Sequence, residues 1–173
     1  HGFEGFGSSA NGDPLASREN GQVDFTTLAA SISRVQPLSA GFSVLAAAKG
    51  QYAFTPLLSP EECGYGGRDF GRAFDPSELT GDSCWSVLGE LRFDPDLPGN
   101  PLDVTQLYAF IDYGHVYRIA PSLGTTTSDD GASAGVGLRL GTEQFSADLS
   151  AVKPLLGLVD DDWRFFLSAS AKY

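Results

Sequence analysis

The stretch that decides the fold is residues 103–119, DVTQLYAFIDYGHVYRI. Leu107, Ala109, Ile111, Tyr113, His115, Tyr117 and Ile119 form one apolar and aromatic set. Gln106, Tyr108, Phe110, Asp112, Gly114 and Arg118 fall between them. Alternation with a period of two marks a β-strand, because successive side chains of an extended chain point to opposite faces. The run is far longer than the usual strand of about five or six residues.

The same pattern recurs on both sides of it. Strands are expected over 1–9, 25–37, 41–54, 84–93, 132–140, 143–155 and 163–173, eight in all with the central one, and no amphipathic helix. On 41–54, Phe42, Val44, Ala46, Ala48, Tyr52 and Phe54 oppose Ser43, Lys49 and Gln51. On 84–93, Trp85, Val87, Leu91 and Phe93 oppose Ser86, Glu90 and Arg92. On 132–140, Gly and Ser alternate with Ala, Val and Leu, and Arg139 joins the polar set. Turn formers fill 11–24, 94–101 and 120–131, which read as loops.

An apolar face of this kind can look inward at a packed core or outward at lipid around a wet lumen. Three features favour the lipid-facing antiparallel barrel. Aromatics (Trp85, Phe93, Tyr113, Tyr117, Trp163, Tyr173) gather near strand ends, as interfacial girdles require. Short turns at Ser39-Ala40 and Gly141-Thr142 alternate with long loops. The chain also closes an alternating strand on an aromatic residue, Tyr173.

Composition agrees. Eleven Lys and Arg stand against 22 Asp and Glu, a formal net charge of −11, which argues against a nucleic-acid partner. The acidic clusters Asp129-Asp130 and Asp160-Asp161-Asp162 fall in expected loops. No run of 18 apolar residues is present, which excludes a spanning helix but not barrel strands of about 9–11 residues. The chain has no methionine, starts at His1 and shows no apolar leader, so it reads as a fragment of a longer protein.

One connection is much longer than the others. Residues 56–83 carry Gly64, Gly66, Gly67, Gly71 and Gly81, the arginines Arg68 and Arg72, and the rings Tyr65, Phe70 and Phe74. Connections beyond about 12–15 residues are usually functional or disordered, and large rings argue against disorder. Cys63 and Cys84 bracket the loop and are the only cysteines. Two cysteines do not make a zinc site; a disulfide suits an oxidising compartment, with unlinked thiols as the alternative. No enzyme chemistry is assembled: His115 lies on the apolar face, as a lipid-facing or interfacial histidine would, and Gly64-Tyr65-Gly66-Gly67 enters no helix. A lumen-facing Asp112 between low-dielectric walls needs a partner, and Arg72 on a loop folded into the lumen can pair with it through both guanidinium arms. Gly114 would leave room for the loop, and Phe74 would pack over Phe110 or Tyr108. The alternative leaves Arg72 solvated and pairs Asp112 with Arg118 or Arg92.

These stretches resemble the ShlB/FhaC/HecB transporters, the TpsB branch of the Omp85 superfamily. Gly66-Gly67, Gly71-Arg72-Ala73-Phe74-Asp75-Pro76, Gly81-Asp82 and Glu90-Leu91 look like the family's sixth extracellular loop. Phe110-Ile111-Asp112-Tyr113-Gly114 is similar to its Phe-x-Asp-x-Gly barrel motif. Ser17-Arg18, Ser33-Arg34-Val35-Gln36-Pro37-Leu38 and Gly50-Gln51-Tyr52-Ala53 extend the likeness upstream. The loop tip departs from the family's Val-Arg-Gly-Tyr/Phe, and Ala73 in place of Gly puts its backbone in doubt. The resemblance implies that residues 1–173 are the C-terminal half of a 16-stranded outer-membrane barrel. It also implies a loop anchored in the lumen by Arg72, Phe74 and Asp112, with Gly66, Gly67, Phe110, Gly114 and Glu90 in support. The implied function is to secrete, and sometimes activate, a large haemolysin- or adhesin-like exoprotein from a Gram-negative outer membrane. The implied partners are that TpsA-like exoprotein, outer-membrane lipid and the outer-membrane assembly machinery, with no cofactor. An Omp85-type insertase and a passive porin are the alternatives.

Overall fold

A computed structural model describes residues 1–3, 11, 14–18, 20–119, 127–157 and 160–172. The strands are β1 (Thr27–Pro37), β2 (Phe42–Ala53), β3 (Cys63–Tyr65), β4 (Leu79–Gly81), β5 (Ser83–Phe93), β6 (Val104–Arg118), β7 (Thr127–Gly141), β8 (Phe145–Leu156) and β9 (Arg164–Ala171). Seven of them form one antiparallel meander in the order β1-β2-β5-β6-β7-β8-β9, and β3 pairs β4 in a separate hairpin. Among the described residues β1 and β9 are the two edges of the sheet. A single 3₁₀ turn, Ser59–Glu61, is the one helical element described.

The alternation read from sequence sets the two faces. Leu107 and Ile111 are exposed on β6, while Tyr108, Phe110 and Asp112, of the opposite parity, are buried. On β5, Trp85, Val87 and Leu91 are exposed and Cys84, Ser86, Leu88 and Glu90 are buried. The exposed apolar face of a sheet this long is suited to lipid rather than water. The antiparallel order puts the connections 38–41, 94–103 and 142–144 at one end of the sheet and the long loop after β2 at the other.

The core lies between the inner face and the long loop. Tyr65, Phe70, Ala73, Phe74 and Leu79 of the loop cluster with Cys84, Leu88, Tyr108, Phe110, Val116 and Val152 of the sheet. Burying each large apolar side chain contributes about 1.5–3 kcal/mol, so this cluster is what keeps the loop folded inward.

Three expectations change. The long connection is not irregular throughout, because β3 and β4 pair within it, which makes nine strands among the described residues. The expected strand over 1–9 is not strand at 1–3, and its remaining residues lie outside the described set, as does Tyr173. Of the expected loop over 120–131, residues 127–131 are strand, since β7 begins at Thr127 and pairs Asp129 with Val116 and Asp130 with His115, and 120–126 lie outside the described residues. The backbone ladder of β6 continues past the apolar stretch and holds polar residues in strand regardless of composition.

Candidate functional site

The site is where the loop meets the inner wall. Its hairpin starts from the disulfide joining Cys63 on β3 to Cys84 on β5, with Cα atoms 6.1 Å apart. That separation lies inside the range a bridge spans. Beyond β3 the chain reverses through Gly66 and Gly67, at φ +125° and +108°. A Cβ on Gly66 would also strike the Asp75 carbonyl oxygen, so only glycine fits there. The Gly67 N–H donates to the carbonyls of Gly71 and Phe74, at 3.2 and 3.3 Å, which closes the tip into a compact knot. The positive φ in the tip motif falls on Gly71 at +76°, and Ala73 is buried with an ordinary negative φ. The doubt about alanine at that position is therefore removed.

Tyr65 seats the loop. Its ring lies over Gly114 of β6 and Gly131 of β7, and a Cβ on Gly114 would come within 2.1 Å of Tyr65 Cδ2. The two glycines form a notch in the wall that the ring fills. The Tyr65 hydroxyl donates to Asp112 Oδ1 at 2.5 Å, and Ser133 Oγ donates to the same oxygen at 2.7 Å. Burial first, and then the bond to Asp112, pushes the Tyr65 hydroxyl up from its ordinary range, so it stays a protonated donor. Phe74 packs edge-on against Tyr65, ring centroids 5.1 Å apart, rather than over Phe110 or Tyr108 as the sequence reading had it.

Arg72 requires the main correction. Its guanidinium does not pair with Asp112; Nη1 donates to Glu90 Oε2 at 2.6 Å, and only its backbone N–H reaches Asp112 Oδ2, at 3.4 Å. Asp112 and Glu90 lie on the same face, but β6 Asp112 stands opposite Leu88 and β5 Glu90 opposite Phe110. The two carboxylates are thus one pleat apart along the barrel. Tyr65 occupies the level of Asp112, so the arginine reaches the next level. Its guanidinium stacks over the Phe110 ring at 4.4 Å.

Glu90, expected only to support the motif, is the electrostatic centre. It is 0% exposed. Arg92 Nε donates to it at 2.7 Å, and both terminal nitrogens of Arg139 do so at 2.8 and 3.1 Å. Arg139 also bonds Asp148 and lies 3.9 Å from the Tyr108 ring centre. Three guanidiniums compensate one desolvated carboxylate, which makes Glu90 tolerable at that depth. Arg118 turns instead to Thr80 and Glu62, so neither local partner proposed for Asp112 reaches it.

Sequence reasoning missed Tyr65 as the partner of Asp112. The available signal was a tyrosine set between Gly64 and Gly66, opposite a strand bearing Gly114. It also missed Arg18, which bonds the fully buried Asp82 at the base of the loop. His115 stands on the outward face as expected, 14% exposed, in contact with Asp130 and packed edge-on against Tyr117.

No curated protein sequence and no solved structure matches the chain. The family model described as haemolysin secretion/activation protein ShlB/FhaC/HecB matches residues 1–140 of the 173. Members of that family are outer-membrane β-barrels of Gram-negative bacteria and serve as the transporter partner of secreted exoproteins. The chain belongs to the ShlB/FhaC/HecB family, and its all-β sheet is part of an outer-membrane barrel of the two-partner-secretion transporter kind.

Proposed function

We propose that this barrel secretes a large haemolysin- or adhesin-like exoprotein of the TpsA type, and that the long loop positions or gates its path. In this reading residues 1–173 are the C-terminal half of the barrel, set among outer-membrane lipid after delivery by the assembly machinery. The exoprotein threads through the lumen unfolded. No nucleotide or cofactor takes part, and folding outside the cell supplies the drive. The observation that carries the reading is the loop held against the polar inner wall, Arg72 on Glu90 and Tyr65 on Asp112. A passive pore has no need of so many charged and buried contacts on one loop.

The test is secretion of the cognate exoprotein from cells carrying the whole transporter, with Arg72→Ala or Glu90→Gln at equal barrel abundance. Secretion should fall in both. Wild-type secretion from both variants would overturn the gating role. A transporter whose loss leaves exoprotein secretion intact but impairs assembly of other barrels would be an insertase instead.

A further inference from the structure

We propose that Arg18 is a second positioning residue for the loop, rooting its base at the barrel rim independently of the clamp at its tip. The inference rests on the reading that the loop serves transport. Arg18 stands well before β1 in the chain, yet its fork reaches three other stretches. Nη1 contacts Asp82 Oδ1 and donates to Glu62 Oε1 at 3.1 Å and to the Leu57 carbonyl at 3.2 Å. Nη2 donates to Asp82 Oδ2 at 3.1 Å and to the Ile119 carbonyl at 2.8 Å.

Asp82 is 0% exposed and accepts two further bonds, from the Leu57 N–H at 2.7 Å and the Ile119 N–H at 2.6 Å. Leu57 is where the chain enters the loop, Asp82 is where it leaves, and Ile119 follows the end of β6. One guanidinium–carboxylate pair therefore closes the stem of the loop and ties it to the wall. The surrounding contacts agree: Gln22 N–H donates to the Pro56 carbonyl, and Ser17 and Ser59 exchange two bonds. None of these residues touches Glu90 or Asp112, so base and tip are held by separate groups. Planar, five-donor geometry is what the position needs; an ammonium cannot serve both carboxylate oxygens and two carbonyls at once.

The experiment uses the full transporter with Arg18→Ala and Arg18→Lys. It reads amide hydrogen exchange, single-channel conductance and exoprotein secretion. The amides of Leu57 and Ile119 should exchange roughly tenfold or more faster in both variants, since the acceptor that protects them loses its charged partner. The tip amides of Gly67 and Phe74 should keep wild-type rates. Conductance of assembled barrels should change, which a residue needed only for folding would not cause. If Arg18→Ala fails to assemble, the same amides are read in Arg18→Lys, which keeps the charge and loses the fork. Wild-type exchange at Leu57 and Ile119, equal release of the tip, or unchanged conductance would each overturn the inference. Wild-type secretion from a barrel with a loosened base and altered conductance would leave Arg18 as the anchor and refute the transport role of the loop.

Discussion

Removing Glu90 should loosen the loop tip more than removing Arg72, and the contact geometry gives the reason. Arg72→Ala deletes the charged hydrogen bond of 2.6 Å to Glu90 and the guanidinium contact over Phe110, together with a weaker contact over Tyr108 and an Nε bond to the Arg68 carbonyl within the loop, while Glu90 keeps Arg92 and Arg139. A hydrogen bond to a charged group contributes about 1.5–3 kcal/mol and a cation–π contact about 0.5–2 kcal/mol, so the loss should be about 2–5 kcal/mol. Glu90→Ala instead leaves Arg72, Arg92 and Arg139 facing one another around a vacated acceptor. Breaking a buried pair from the side of the shared partner costs about 3–5 kcal/mol, and the like charges add to it. Asp112 makes a sharp control: Arg72 meets it through the backbone, so Arg72→Ala preserves that bond. A double-mutant cycle read from exchange of the Gly67 and Phe74 amides should give a coupling of about 1.5–3 kcal/mol for Arg72 with Glu90. The coupling for Arg72 with Asp112 should be about 0.5 kcal/mol or less, the usual limit for side chains that do not interact. A larger coupling to Asp112 than to Glu90 would refute the pairing described here and restore the direct arginine–aspartate clamp.

Gly114→Val should unseat Tyr65, because even a single Cβ there overlaps the ring. Overpacking of this kind costs about 1–3 kcal/mol, and loss of protection at the tip amides would report it; a normally protected loop would contradict the notch. Tyr65→Phe should weaken the same seat by about 1–3 kcal/mol, by leaving buried Asp112 without one donor, and thermal unfolding of the purified barrel would show it as a lower midpoint. Reducing the Cys63–Cys84 bridge, which closes a separation of 21 residues, should cost about 3 kcal/mol. The same thermal assay with and without reductant measures that cost, and free thiols by mass spectrometry of untreated protein would disprove the bridge. Single cysteines at Leu107, Ile111 or Leu149 should be shielded by lipid from a membrane-impermeant reagent, whereas Gln51→Cys and Arg139→Cys should react; the reverse pattern would invert the barrel.

The strands and their two faces were legible because they depend on local geometry alone. An extended chain alternates its side chains whatever surrounds it, so residues 103–119 disclosed both the exposed apolar set and Asp112 on the buried face. The long loop was equally legible as an exception, from its length, its glycines and its rings. Where the pattern was read from composition instead, it failed at 127–131, since a hydrogen-bonded ladder does not stop where apolar residues do.

What the sequence could not settle was depth along the barrel. Glu90 and Asp112 share parity and charge, and nothing local distinguishes them as partners for Arg72. Only the register of β5 on β6 puts them one pleat apart, and only the fit of Tyr65 into the gap over Gly114 and Gly131 gives Asp112 to the tyrosine. Arg18 and Asp82 are further still from local rules, being 64 residues apart. Periodicity follows from the backbone of a single strand, so sequence alone determined the faces. Pairing energies follow from which groups reach each other across strands and loop, so the tertiary structure decided the partners.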